Sequence, residues 1–132
     1  MDFNLFNLCD FGEQRNVKSG EELYKENTPV DGFCYLVLSG QLEEKKTFTV
    51  ENAFIRDIGV GDVAGVVELF SDDKKRLATL KAIKDSTVYV WSKSGVREIA
   101  TSNLQFCLYI IRNLSTTLRG LNFELKELLL RK

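Results

Sequence analysis

The residues best suited to do chemistry in this 132-residue chain lie between Gly61 and Ala82. They read Gly61-Asp62-Val63-Ala64-Gly65-Val66-Val67-Glu68-Leu69-Phe70, then Ser71-Asp72-Asp73-Lys74-Lys75, then Arg76-Leu77-Ala78-Thr79-Leu80-Lys81-Ala82. Two glycines precede a short helix-compatible stretch, a polar loop follows, and a basic residue leads into a strand. That order can build an anion site. Gly65 lets the backbone come close to a ligand, free N–H groups at the start of a short helix point at it, and Arg76 supplies a charged fork from the other side. The competing reading of Arg76 is an ion pair with Asp72, Asp73 or Glu68.

Composition removes several other chemistries. The chain has no histidine, so Ser-His-Asp and Cys-His mechanisms and the common histidine metal sites have no candidates. Cys9, Cys34 and Cys107 lack CxxC spacing and sit among apolar neighbours. They read as reduced core residues of a cytoplasmic protein, with no metal site. Eighteen Lys and Arg face nineteen Asp and Glu, a net charge of −1, so the basic excess of a direct nucleic-acid binder is missing. No apolar run reaches the ~18 residues of a membrane span, and no signal peptide opens the chain. The expectation is a binding or regulatory module with no cofactor, not an enzyme.

The elements that must position Arg76 follow from periodicity. Phe33 to Leu38 is apolar on both faces, as in a buried strand. Gln41 to Lys46 reads as its solvent-facing continuation. Phe48, Val50 and Phe54 alternate with Thr49, Glu51 and Ala53; Ala78, Leu80 and Ala82 with Thr79, Lys81 and Ile83; and Val88 and Val90 with Tyr89 and Trp91. Turn signals fall at Ser19-Gly20, Asp31-Gly32, Ser39-Gly40 and Gly59-Val60-Gly61-Asp62, which suits an antiparallel sandwich or barrel. Pro29 falls between strands. Phe3 to Leu8 reads as one or two helical turns, and Ser92 as the N-cap of a short helix through Val96 and Ile99. The fold expected is α+β, mainly β: an antiparallel β-roll or jelly-roll barrel, short flanking helices and a long C-terminal helix. One domain spans 1–132, with the roll and short helices in 1–102 and the long helix in 103–132.

The segments just quoted resemble the cyclic-nucleotide-binding domain of the catabolite-activator-protein type, from about Phe6 to Leu128. Asp31-Gly32-Phe33-Cys34-Tyr35-Leu36-Val37-Leu38-Ser39-Gly40 is similar to the family's strand ending. Gly59-Val60-Gly61-Asp62 with Gly65, then Leu69-Phe70 and Arg76-x-Ala78-Thr79-x-x-Ala82, is similar to its phosphate-binding cassette, with no gap between Gly65 and Arg76. The resemblance implies ligand-binding positions at Gly65, Val66, Val67, Arg76 and Leu77, and cyclic AMP or cyclic GMP as ligand. Three positions depart from it. Val66 stands where the family has a glutamate that accepts the ribose 2′-hydroxyl, Leu77 where it has a small Ser or Ala, and Asn27 where a turn glycine is common. Glu68 is no simple substitute, since two helical residues turn it about 200° from Val66. A hydrogen bond to a charged acceptor contributes about 1.5–3 kcal/mol, so its loss implies roughly ten- to a hundredfold weaker binding.

The last thirty residues carry a second candidate surface. Ile111, Leu114, Leu118, Leu121, Leu125 and Leu128 follow a heptad-like spacing, extended backwards by Leu104 and Leu108. Ser102 or Asn103 can cap the start. From residue 103 onward five basic residues face two acidic ones, which makes the helix +3 and the body −4. In the resembled family this helix pairs with its twin, which implies a homodimer interface at Leu114, Leu118, Leu121, Leu125 and Leu128. The alternative is that the whole helix folds back as core. Gly120 costs about 1 kcal/mol in a helix and fits a close helix approach. In transcription factors of the resembled family a winged helix-turn-helix follows the long helix and none is present here, so either the function is not DNA binding or the chain is a fragment; direct nucleic-acid binding by these residues is not expected. Three functions stay open: a sensor-type domain with a degenerate pocket, a true cyclic nucleotide receptor using Arg76, and a ligand-independent interaction scaffold.

Overall fold

A computed structural model of the chain describes residues 12–47, 49, 52–71, 74–102 and 104–116. Eight strands form two four-stranded antiparallel sheets. The first takes the order β1-β8-β3-β6, from β1 (Gly12–Val17), β8 (Ser86–Ser92), β3 (Phe33–Ser39) and β6 (Val63–Ala64). The second takes the order β2-β7-β4-β5, from β2 (Glu22–Tyr24), β7 (Thr79–Ala82), β4 (Leu42–Thr47) and β5 (Ala53–Ile58). Three helices complete the described chain: α1 (Val66–Phe70), α2 (Lys93–Ser102) and α3 (104–116).

The strand period explains why the central strands β3 and β8 of the first sheet are apolar on both faces. Along β3 and β8, Tyr35, Val37, Val88 and Val90 face a core shared with Leu42, Ile58 and Leu80 of the second sheet. Their alternates Cys34, Leu36, Tyr89 and Trp91 face a second core with Val66 and Leu69 of α1, Val96 and Ile99 of α2, and Phe106 of α3. Successive side chains of a strand point to opposite faces, so central strands between another sheet and a helical layer need apolar residues on both faces. The ring of Trp91 meets Phe106 edge-on at 5.3 Å between centroids. Such a pair contributes about 0.5–1.5 kcal/mol beyond its burial and anchors α3 to the roll.

The expected mainly-β roll with short helices is therefore the fold observed. Several boundaries differ. The polar stretch Gly12–Val17 is a strand, β1, in full register with β8; its one buried side chain, Val17, leaves no alternation to read. Of the alternation expected at Phe48, Val50 and Phe54, Phe54 lies in β5, which begins at Ala53 and runs on to Ile58. Ser92 does cap α2, its Oγ accepting from the Gly95 N–H at 3.1 Å, and Asn27 is the one non-glycine residue with positive φ, 67°, among the described residues. The expected helix at Phe3 to Leu8, Cys9, Phe48, Val50, Asp72, Asp73, the cap at Asn103, and everything from Thr117 onward lie outside the described residues.

Candidate functional site

Arg76 is placed by backbone before any side chain acts. Its N–H donates to Thr28 O at 2.8 Å, its carbonyl accepts from the Asn27 N–H at 2.9 Å, and Pro29 bridges Lys75. Residues 27–30 thus run antiparallel to 74–76, and the chain turns through Asp31 and Gly32 into β3. On the other side, β6 pairs with β3 through Tyr35↔Ala64, which brings Gly65 and the start of α1 to the same spot. Gly65 has φ of +84°, and a Cβ there would lie 3.0 Å from Arg76 Nη1. Only glycine permits both that backbone and that approach.

The guanidinium is buried, with Arg76 at 1% exposure. Nη1 donates to Glu68 Oε2 at 2.7 Å and to Gly65 O at 3.1 Å. Nη2 donates to Asp31 Oδ1 at 2.5 Å and to Phe33 O at 2.6 Å. The guanidinium carbon lies 4.1 Å from the centroid of the Tyr24 ring, a cation–π contact. Of the five N–H donors that an arginine carries, only Nε is buried without a partner among the described residues. Burial pulls the Arg76 pKa down, but the hydrogen bonds it donates to Glu68 and Asp31 outweigh it and leave it above its ordinary value. The same burial pushes the Cys34 thiol up to about 12, with Arg76 pulling against it and Asp31 adding to it. Beyond Tyr24 the polar chain continues: its hydroxyl donates to Glu44 Oε2 at 3.4 Å, and Glu44 pairs with Arg56 at 3.3 Å.

The other expected ligand positions surround this centre unevenly. Val66 is buried in the helical core and Val67 is exposed. Leu77, 40% exposed, does not lie buried over the guanidinium. Glu68, named from the sequence as one partner for Arg76, is that partner. Asp31, Tyr24 and the Phe33 carbonyl were not anticipated. Asp31 is marked in the sequence as a turn residue and as the first residue of the family-like strand segment, and the signal that could flag it as a partner is its place one residue before a glycine at the head of the most apolar strand.

A second polar centre lies before β6. Asp62 Oδ2 accepts from the Gly59 N–H at 2.9 Å, and its Oδ1 accepts from Asn113 Nδ2 at 3.2 Å. Asn113 Oδ1 in turn accepts from the Val63 N–H at 3.3 Å, and the Tyr109 hydroxyl donates to Gly61 O. These contacts fasten α3 to the turn that leads into the cassette. Burial first, and Asp62 second, raise the Tyr109 hydroxyl above its ordinary pKa. On the opposite side of α3, Leu104 (69%), Leu108 (41%) and Ile111 (59%) are exposed, and Leu114 is half-buried. Leu118, Leu121, Leu125 and Leu128 lie outside the described residues.

The comparison with known families decides the assignment. The model of the cyclic nucleotide-binding domain matches residues 14–103. The chain belongs to that family. Solved structures agree with this cyclic nucleotide-binding domain in fold. The catabolite activator protein of Thermus thermophilus superposes with a TM-score of 0.78 at 18% identity, over 94% of this chain and 58% of that one. The c-di-GMP responsive global regulator CLP of Xanthomonas campestris superposes at 0.80 and 16% identity, over 90% and 60%. A transcriptional regulator of Thermotoga maritima superposes at 0.77 and 16% identity, over 96% and 98%. The chain thus spans less than two thirds of the length of the first two. No curated protein matches the sequence. Among the described residues no helix is long and apolar enough to cross a membrane.

Proposed function

We propose that this cyclic nucleotide-binding domain is a cytosolic regulatory module whose pocket is degenerate, and that it acts as a dimer through its C-terminal helix. One observation carries the first part. Four donors of Arg76 are spent on the chain's own acceptors, and two of those are carboxylates. A ligand phosphate meeting Gly65, Val66, Val67, Arg76 and Leu77 has to compete with them, and it does so without the acidic residue that would hold a ribose hydroxyl. A regulatory rather than catalytic role is supported by family membership and by a chain without histidine. The near balance of charge supports no direct nucleic-acid contact by these residues.

The test is a thermal melt with cyclic AMP or cyclic GMP at millimolar concentration. A ligand at a hundred times its dissociation constant stabilises a fold by about 2.7 kcal/mol. The degenerate reading expects no shift with either. A clear shift retires it in favour of the receptor reading, which the retained Gly65–Arg76 spacing favours.

The dimer reading is supported by α3. Its inner face (Phe106, Tyr109, Asn113) serves its own roll, while Leu104, Leu108 and Ile111 stay exposed. Exposed leucines at this spacing suit a partner helix. Sedimentation at micromolar concentration checks it: Ile111→Glu or Leu121→Glu is expected to yield monomers. A wild-type monomer indifferent to both removes the dimer and leaves the ligand-independent scaffold.

A further inference from the structure

We infer that Glu68 is the gate of this site: its carboxylate occupies the place of a ligand anion on Arg76, and its charge, more than the missing acidic residue at Val66 or the bulk of Leu77, is what closes the pocket to phosphate esters. The inference rests on the degenerate-pocket reading and says which residue is responsible.

The geometry singles out Glu68 among the four acceptors. Two of them, Gly65 O and Phe33 O, are backbone carbonyls fixed by the β6–β3 register. Asp31 is fixed as well, because the Oδ1 that meets Nη2 also accepts from the Phe33 N–H at 3.1 Å. Glu68 has no such second tether: among the described residues its only hydrogen bond is the one to Nη1. It stands on a five-residue helix, and its side chain keeps 10% exposure. Asp31 is the more exposed of the two carboxylates, 38% against 10%, but among the described residues only Glu68 can leave by rotating its own side chain without breaking a second side-chain hydrogen bond.

Charge gives the reason it matters. One guanidinium faces two carboxylates, and the next pair outward, Glu44 with Arg56, is neutral as a unit. The centre already carries a surplus of one negative charge. A singly charged phosphodiester entering beside Glu68 would double that surplus in a buried site, where like charges are poorly screened. Entering in place of Glu68, it trades one anion for another and gains nothing in charge balance. Glu68→Gln keeps an acceptor for Nη1 and removes the surplus. Asp31→Asn added to it leaves the guanidinium with a net positive surrounding.

The order of anion affinity is therefore wild type, then Glu68→Gln, then Asp31→Asn/Glu68→Gln. Isothermal titration of the full chain with cyclic AMP, cyclic GMP and inorganic phosphate tests it. Inorganic phosphate is included because it is too small to be obstructed by Val66 or Leu77. The expected result is about a tenfold to hundredfold gain for Glu68→Gln over wild type, the equivalent of one charge-assisted hydrogen bond. A further gain follows in the double variant. If folded Glu68→Gln binds all three probes no better than wild type, Glu68 is not the gate, although the pocket can still be degenerate. If wild type itself binds a cyclic nucleotide at micromolar concentration, the degenerate reading falls along with the gate. Should Glu68→Gln lose its cooperative melt, Glu68→Ser, which frees Nη1 without crowding it, carries the same expectations.

Discussion

The two ends of β6 are held by opposite means. Before the strand, Asp62 and Asn113 share a neutral amide latch with one carboxylate, and Tyr109 adds a hydroxyl on Gly61 O. After the strand, a full positive charge is buried between two carboxylates and two carbonyls. Both centres use one backbone device. Gly61 and Gly65 have φ of +89° and +84°, and a Cβ at either would lie 3.1 Å from Tyr109 Oη or 3.0 Å from Arg76 Nη1. A glycine that admits a polar group is therefore no mark of a ligand site in itself. What separates the two centres is charge: the latch has little to exchange with solvent, whereas the guanidinium has a counter-ion that can be replaced.

The largest effect that follows is on stability. Arg76→Met leaves the nearly buried Glu68 carboxylate unpaired and removes the ring contact with Tyr24. Breaking a buried pair from one side costs about 3–5 kcal/mol, while removing both partners costs far less. Urea unfolding should then show Arg76→Met strongly destabilised and Arg76→Met/Glu68→Leu partly recovered. Equal losses in the single and the double variant would mean that the charge pair is not what Arg76 contributes. The latch should give a smaller loss. Asn113→Ala strips an acceptor from the Val63 N–H and a donor from Asp62, an expected cost of about 1–3 kcal/mol. Asn113→Asp should cost more, because it sets a like charge against Asp62, and added salt should relieve part of the difference. If Asn113→Ala costs as much as Arg76→Met, the contrast between the two centres fails.

The two centres were also unequally visible in the sequence. Gly65 and Arg76 could be picked out because their spacing and types are unusual together, and the doubly apolar run at Phe33 to Leu38 marked the central sheet. Asn113 and Tyr109 could not, and Asp31 offered only its place before the glycine that heads the most apolar strand. Each meets its partner across a long stretch of chain: 45 residues for Asp31 and Arg76, 51 for Asn113 and Asp62. Such contacts are set by strand register and helix docking, which local periodicity does not encode. Tyr109 and Asn113 sit four apart on α3, on the face that Phe106 packs inward. A heptad pattern read for leucines passes over polar residues on the inner face. Glu68 was legible in part: the turn of about 200° from Val66 sets it apart from the position of the missing carboxylate, and its nearness in sequence to Arg76 made it a candidate partner, which it is.

The smallest effect is also the cleanest separation, because each centre has its own titrating reporter. Burial holds the Cys34 thiol up at about 12 from an ordinary 9.0, with Asp31 raising it and Arg76 lowering it. Burial and then Asp62 raise Tyr109. Both groups keep their protons longer folded than unfolded. Their contribution to stability is therefore complete below the unfolded value and is lost as pH climbs, for Cys34 between 9.0 and about 12, at up to about 1.4 kcal/mol per pH unit. Asp31→Asn removes a neighbouring negative charge and should lower the Cys34 value, read as faster alkylation at a given alkaline pH, without moving Tyr109. Asp62→Asn should lower Tyr109, read from phenolate absorbance, without moving Cys34. If either variant shifts both reporters, the two centres are one coupled unit across β6, and the latch on α3 would then sense the charge on Arg76.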